Sequence, residues 1–409
     1  MDLLLFNLHD VVLIMTAFQC ALFAFFLLVV RGERRISNAL LALFLLSQAA
    51  IPLDILISFG AGFREWAIQV SPNLFYIFGF AYWLEGPLLL WYTRSLVYKD
   101  YLPKHRELVY LLPLLGYVIY QYFVYFRFDS LAKGEMLQDY DLFAESLLTH
   151  GIGTLRELLR WVFGIACLVE LRRYHARIRD SYSTIEKMDL RWLWILVAGF
   201  LVIRSWAVLV NIAIISSAHL DTFFDYRVMG LASNYTVLIL VSALIFMSLH
   251  GASVFDGLEA EEESGPGPLE KSRGGVQKSA NPGKPQIDPE LVEKVERSMT
   301  REHLFLTPTL TLADLAQHLG TAKRTVSTII NRHFGCNFFE FVNQYRIEEA
   351  KARLADPARE EQTILEIMLA VGFNTKGTFN TLFKNRVGMT PTEFRYRSRA
   401  PAPLPQNAV

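Results

Sequence analysis

The sequence predicts an all-α protein in two unlike parts: an N-terminal bundle of seven membrane-spanning helices and a cytoplasmic all-helical domain built on two successive helix-turn-helix patterns. Three observations lead there. Of the 409 residues, 52% are hydrophobic and only 20% charged, too apolar for an average soluble protein and long enough for at least two domains. Before His250, apolar runs of about 20 residues recur, each able to cross a hydrocarbon core of roughly 30 Å at about 1.5 Å per residue. Beyond a Gly-, Pro- and Ser-rich break, the apolar spacing turns helical and is twice interrupted by a glycine turn.

The seven expected spans are Val11 to Val30, Asn38 to Phe59, Asn73 to Val97, Leu108 to Phe126, Thr154 to Leu171, Arg191 to Ser217 and Met229 to Leu249. Orientation follows from the basic residues, which cytoplasmic loops retain. Arg31, Arg34 and Arg35, then Lys99, Lys104 and Arg106, then Arg172, Arg173, Arg177, Arg179, Lys187 and Arg191 fall in alternate loops. The other loops hold only Arg64, Arg127, Lys133 and Arg227. The N-terminus is therefore expected outside and the C-terminus inside, with the first span kept as an anchor because MDLLLFNLHD lacks a basic leader. The aromatic residues Tyr117, Tyr120, Tyr122, Tyr125 and Phe126 read as an interfacial belt.

The expected organisation is a transmembrane bundle over 1–250, a linker over 251–288, a double helix-turn-helix domain over 289–399 and a disordered tail over 400–409. Treated as a flexible coil, the linker spans about 30 to 37 Å. Such a tether transmits proximity well and rotation poorly, so it favours control through dimerisation.

In the first pattern, Leu312, Leu315, Ala316 and Leu319 share a helical face, Gly320 makes the turn, and a helix starts near Ala322 with Val326, Ile329 and Ile330 inward. In the second, Ile364, Ile367, Met368 and Val371 pack, Gly372 turns, and a helix starts near Thr375 with Phe379, Leu382 and Phe383 inward. The second helix of such a pair enters a DNA major groove. Its outward residues here are Lys323, Arg324, Thr325, Ser327 and Arg332, then Thr375, Lys376, Thr378, Asn380 and Lys384. No acidic residue lies between Thr321 and Phe339 or between Ile367 and Thr392, whereas the segment between these windows is rich in Glu. Surfaces that face phosphate shed carboxylates. A helix over Asn337 to Ala355, about 28 Å long, sets the two units about one DNA turn apart.

Residues from about Glu290 to Arg399 resemble the DNA-binding domain of the AraC family of bacterial transcriptional regulators. The likeness rests on LADLAQHLG, RTVSTIINRHFG, NFFEFVNQYRIEEAKARL and VGFNTKGTFNTLFKNRVGMTPTEFR. It implies base or phosphate contacts for Lys323, Arg324, Lys376, Thr378 and Asn380, and structural roles for Phe373, Phe379, Phe383, Gly388, Pro391 and Phe394. Gly377 and Thr381 depart from the family pattern, where a side chain such as Ser and a basic residue are usual. The resemblance further implies promoter DNA as partner, a homodimer on that DNA, and RNA polymerase if the protein activates.

Ionisable residues inside apolar spans are costly and should face the bundle interior. Asp54, Glu85 and Arg204 are three such residues. Glu85 and Arg204 read either as a structural pair or, with Asn211 and Asn234, as a polar pocket for an unknown small-molecule or membrane signal. Cys20, Cys167 and Cys336 match no metal or redox spacing, and neither a catalytic motif nor a cofactor site is expected. The reading is thus a regulator held in a bacterial inner membrane, with the lipid bilayer as a partner and the bundle as sensor or dimerising anchor. The alternative is a transporter or membrane enzyme carrying a regulatory DNA-binding appendage, against which stands the lack of any detected internal repeat.

Overall fold

The computed structural model describes residues 7–29, 35–98, 101–138, 147–185, 190–219, 232, 234–243 and 288–399. The expected linker up to residue 287, the tail, and both ends of the span Met229 to Leu249 lie outside the described residues. Among the described residues there is no strand; one isolated antiparallel bridge joins Tyr182 to Thr311. The chain divides into two compact units, residues 1–172 with 190–264 and residues 173–189 with 265–409.

The first unit contains α1 (Leu8–Val29), α2 (Arg35–Phe59), α3 (Ala61–Val70), α4 (Ala81–Val97), α5 (Leu112–Gln121), α6 (Ser130–Gln138), the start of α7 (Leu147–Ser181), α8 (Arg191–His219) and α9 (Asn234–Ala243). Small residues permit close helix approach. Ala17, Cys20 and Ala24 of α1 and Ala42, Ala49 and Ala50 of α2 are buried where these helices pack, while Phe18, Phe25 and Phe26 face outward. Exposed apolar side chains in such density mark a surface made for something other than water. Among the described residues, four segments are long and apolar enough to cross a membrane: Leu8–Val29, Arg35–Phe59, His105–Phe126 and Trp192–Ala213.

The other expected spans differ in instructive ways. Asn73 to Val97 is not one helix, because Pro72 opens a short 3-10 turn and Tyr76 adopts φ 63°, which a right-handed helix cannot accommodate. That turn is held by the Tyr125 hydroxyl donating to Pro72 O at 2.6 Å and Lys133 Nζ donating to Asn73 Oδ1 at 2.8 Å. Helix α4 then begins at Ala81 and has 17 residues. Helix α7 runs 35 residues, beyond both ends of Thr154 to Leu171, and carries Arg156, Glu157, Arg160 and Glu170 within its length.

The second unit contains the end of α7 and then α10 (Pro289–Thr300), α11 (Leu312–His318), α12 (Lys323–Arg332), α13 (Phe338–Ala355), α14 (Ile364–Ala370), α15 (Lys376–Val387) and α16 (Pro391–Arg399). Reciprocal capping boxes start three of these helices, through Thr311 with Asp314, Asn337 with Glu340, and Thr363 with Glu366. Two apolar cores form on one rod. The first half of α13 contributes Phe338, Phe341 and Val342 to a core with Leu315, Val326, Ile329 and Ile330. Its second half contributes Ile347, Ala350 and Leu354 to a core with Ile367, Met368, Phe379 and Phe383.

Between the two cores on α13 sits Arg346, fully buried. Its Nε donates to Phe305 O and its Nη2 to Thr307 O, both at 2.7 Å, and its guanidinium lies 5.7 Å from the centre of the Phe373 ring. One charged group thus ties the loop before α11 to the turn before α15. Gly372 makes this possible: its φ is +92°, and a Cβ there would meet Leu306 O at 2.9 Å and Arg346 Nε at 3.0 Å.

Gly372→Ala is therefore expected to destabilise this domain by about 1–3 kcal/mol, the cost of holding a side chain in a strained backbone region. Hydrogen exchange of α14 and α15 in the full-length chain measures it; unchanged protection would refute the packing. Acid should act on the same domain. Backbone hydrogen bonds at Thr363 and Thr390 hold Glu366 and Glu393 below the usual carboxylate range. Their contribution is complete above the ordinary value of 4.5 and is lost as pH falls through the lowered one. Glu366→Gln should flatten that acid limb of an unfolding titration.

Candidate nucleic-acid interface and buried charge cluster

The second helix of each helix-turn-helix pair presents its outer face as a set of short polar and basic groups. On α12, Ala322 is the N-cap, and Lys323, Arg324, Thr325 and Arg332 are exposed while Val326, Ile329 and Ile330 are buried. Ser327 is half-buried. On α15, Thr375 is the N-cap and its hydroxyl accepts from Thr378 N at 3.4 Å. Lys376 and Lys384 are exposed, and Thr378 and Asn380 half-buried, around the buried Phe379 and Phe383. Thr375 and Thr378 therefore serve the start of the helix as well as facing outward. Among the described residues, Lys323, Arg324 and Lys376 form no ion pair, whereas Arg386 lies 3.6 Å from Glu348. Gly377 has open space around its Cα, so its helix-weakening effect is not required by any close approach.

The face can do one thing well. It offers three exposed cations with no neutralising partner among the described residues, at the starts of two helices on a common scaffold, where anionic backbone charge is attracted by both the side chains and the helix termini. Among the described residues no group of three or more His, Cys, Asp or Glu could hold a metal. Cys20, Cys167 and Cys336 are free thiols.

The first unit encloses a charge cluster richer than the expected pair. Glu85 bonds to Arg160 and accepts from Gln48 Nε2 at 2.7 Å. Arg160 also bonds to Glu157 at 2.8 Å, and Arg204 lies 3.6 Å from Glu157 and 3.9 Å from Glu85. Glu85, Glu157, Arg160 and Arg204 are all buried. The expected Glu85 to Arg204 pair is thus one edge of a four-membered network in which Arg160 is the nearer partner of Glu85. Close helix approach builds it, since a Cβ on Gly86 would fall 2.5 Å from the Phe163 ring. The sequence held the clue in Arg156, Glu157 and Arg160, three charges at helical spacing inside an apolar stretch.

Asp54 lies near Tyr82 and Arg156 at the margin of this network. Asn211 instead donates to Ala207 O of its own helix at 3.1 Å, and Asn234 is half-buried on α9. A cavity of about 20 Å³ is lined by Gln48, Glu85 and Arg204 with apolar neighbours, room for a water and not for an organic ligand. A second cluster joins Arg94 to Glu107 and, at 2.9 Å, to Glu170, which also accepts from the Tyr98 hydroxyl at 3.1 Å.

Comparison with known proteins agrees with the geometry of the second unit. A family described as a helix-turn-helix domain matches residues 315–397. The probable transcription factor PqrA of Proteus vulgaris is 31% identical over 87 residues, 21% of this chain and 69% of its own length. The melibiose operon regulatory protein of Escherichia coli (strain K12) is 29% identical over 90 residues, 22% of this chain and 29% of its own. An HTH-type transcriptional regulator of Staphylococcus aureus (strain COL) is 29% identical over 103 residues, 25% of this chain. The match spans only 13% of that regulator's length. No solved structure matches the chain.

The charge cluster yields a double-substitution test. Glu85→Ala or Arg160→Ala alone unbalances the buried network, a loss of up to about 3–5 kcal/mol, the cost of breaking a buried pair, whereas the double change removes both charges. Each single variant should lower the yield of folded chain, and the double variant should recover part of it. Losses that simply add would contradict direct pairing.

Proposed function

Because the chain belongs, through its C-terminal domain, to the AraC-type helix-turn-helix family of transcriptional regulators, we propose that it is a membrane-embedded, sequence-specific regulator of transcription. The observation that carries this reading is the pair of recognition helices α12 and α15, each with exposed basic residues on a face free of carboxylates, joined by the single rod α13. Spacing along that rod suits two successive major grooves on one side of a duplex.

In this reading Arg324 reads a base edge, and Lys323, Arg332, Lys376 and Lys384 neutralise phosphates. Thr325, Ser327, Thr375, Thr378 and Asn380 complete the contacts with shorter reach. The apolar helices of the first unit hold the protein in a bacterial inner membrane, as a multi-pass bundle with its N-terminus outside and the DNA-binding domain in the cytoplasm. Support comes from the four helices of sufficient length and hydropathy and from the outward-facing aromatic and aliphatic side chains. The bundle acts as sensor or dimerising anchor, and the charge cluster around Asp54, Glu85 and Arg204 is the polar core on which a signal would act. Asn211 and Asn234 are lesser candidates. Partners in this reading are promoter DNA, a second copy of the chain on that DNA, and, if the protein activates, RNA polymerase.

Full-length chain in detergent should bind a promoter duplex, with an affinity that falls steeply as salt rises. Arg324→Ala should cost about 1–3 kcal/mol on the preferred sequence and relax the preference at one base. Lys376→Ala should weaken all sequences alike and reduce the salt slope by about one. Absence of duplex binding at low salt would sink the proposal. Independently, a reporter fused after Leu137 should be active outside the membrane and one fused after Tyr182 inside.

A further inference from the structure

The second unit includes a segment far from the rest of it in sequence, residues 173–189, which comprises the last turns of α7 and the chain that follows them. This segment is bonded to the DNA-binding domain by a specific set of contacts. Ser183 is buried, its backbone N–H donates to Leu310 O at 3.2 Å, and its hydroxyl donates to the same oxygen at 2.6 Å. Ser183 O accepts from Asn343 Nδ2 at 3.0 Å, and Thr184 Oγ1 donates to Pro308 O at 2.6 Å. Arg179 pairs with Glu340 at 2.6 Å and lies over the Phe339 ring.

The segment also reaches Arg346. That guanidinium donates from Nη2 to Ser183 Oγ at 3.2 Å and from Nη1 to Ser183 O at 3.4 Å. Nη1 also donates to Thr184 Oγ1 at 3.4 Å and to Asn343 Oδ1 at 3.3 Å, while Phe305 O, Thr307 O and Pro308 O, in the loop before α11, accept from Nε and Nη2. Tyr182 to Thr184 therefore helps complete the hydrogen bonding of Arg346, a buried charge that sits where the two apolar cores meet. A buried charge that loses acceptors is costly, so departure of the segment should loosen the junction between the two helix-turn-helix halves.

We propose that residues 182–184 are an intramolecular strap that docks on the DNA-binding domain at Arg346, Asn343 and Leu310, and that docking favours the DNA-binding form by fixing the two recognition helices relative to each other. The proposal rests on the DNA-binding reading. It adds a connection made by a helix: α7 is continuous from Leu147 to Ser181 and ends at the strap, so a turn or shift of that helix acts directly on the contact. Signals then pass by displacement of the strap, in addition to any change in proximity.

The bridge between Tyr182 and Thr311 provides the test. The hydrogen bond from Ser183 N to Leu310 O marks 182 and 311 as a non-hydrogen-bonded antiparallel pair, whose Cα atoms are typically about 4.5 Å apart, within disulfide range. Full-length chain, with Cys20, Cys167 and Cys336 replaced by Ala and a protease site placed between Ser264 and Pro285, would carry Tyr182→Cys and Thr311→Cys. After oxidation and cleavage the two fragments should remain linked until reduced, and a control pair of Tyr182→Cys with Gln362→Cys should not link. The duplex probe is one enriched from a randomised library by the unmodified chain.

Cross-linked protein should bind that duplex at least as tightly as the reduced form. Ser183→Leu, which removes the hydroxyl and crowds the dock, should bind roughly tenfold more weakly, the scale of hydrogen bonds to a charged group. Because Thr311→Cys also removes a helix cap, Ser183→Leu is the independent arm, with faster hydrogen exchange at 305–312 as its structural readout. Failure of the pair to link beyond the control overturns docking. Linking with weaker DNA binding, or Ser183→Leu with unchanged binding, overturns the favourable coupling. If the unmodified chain enriches no duplex, the DNA reading itself fails and the coupling with it, while the cross-link still reports whether the strap docks.

Discussion

The organisation of the DNA-binding half depends on one buried guanidinium. A charge with five donors and no exposure is tolerable only where acceptors surround it, and Arg346 finds them in main-chain oxygens at 305 and 307 and in Ser183. Those acceptors come from different parts of the chain. Meeting that single requirement therefore brings together the loop before the first helix-turn-helix, the turn before the second recognition helix at Gly372 and Phe373, and a segment far upstream, Ser183 and Arg346 being 163 residues apart in sequence. The two apolar cores hold each half together; the arginine holds the halves to each other.

The same logic, with opposite charges in comparable number, organises the apolar half. Glu85, Glu157, Arg160 and Arg204 are buried among residues that offer few other polar partners. Each charge is tolerated because of the others, which fixes how α4, α7 and α8 pack and makes the glycine contact at Gly86 necessary. Polar clusters of this kind specify one arrangement of apolar helices that would otherwise pack in several ways.

Much of this is legible in the sequence. The double helix-turn-helix stands out because glycine turns, N-caps and a 3.6-residue apolar period all point to the same elements: α12 begins one residue after Ala322 and α15 one after Thr375. The exposed basic positions follow, because a residue's side of a helix is set by local spacing. What local spacing cannot show is which distant residues meet. Arg346 reads in sequence as one more solvated charge on α13, and Ser183 as an ordinary loop residue. The apolar run at 73–97 misleads for another reason: hydropathy reports composition and is blind to the positive φ at Tyr76 that breaks the helix. Glu85 is conspicuous as a charge within an apolar run, but depth along the runs points to Arg204 as its partner, whereas Arg160 on the fifth run lies nearer.

The central claim is that this chain acts at promoters through the exposed faces of α12 and α15. Genome-wide mapping of DNA cross-linked to the full-length chain in its own cells, alongside a variant carrying Lys323→Ala, Arg324→Ala and Lys376→Ala, tests it most directly. The account predicts a small set of discrete peaks upstream of genes, sharing a motif with two parts about one helical turn apart, and their loss in a variant that remains folded and equally abundant. Peaks that survive the triple substitution, or no enrichment above background for the unmodified chain, would contradict it.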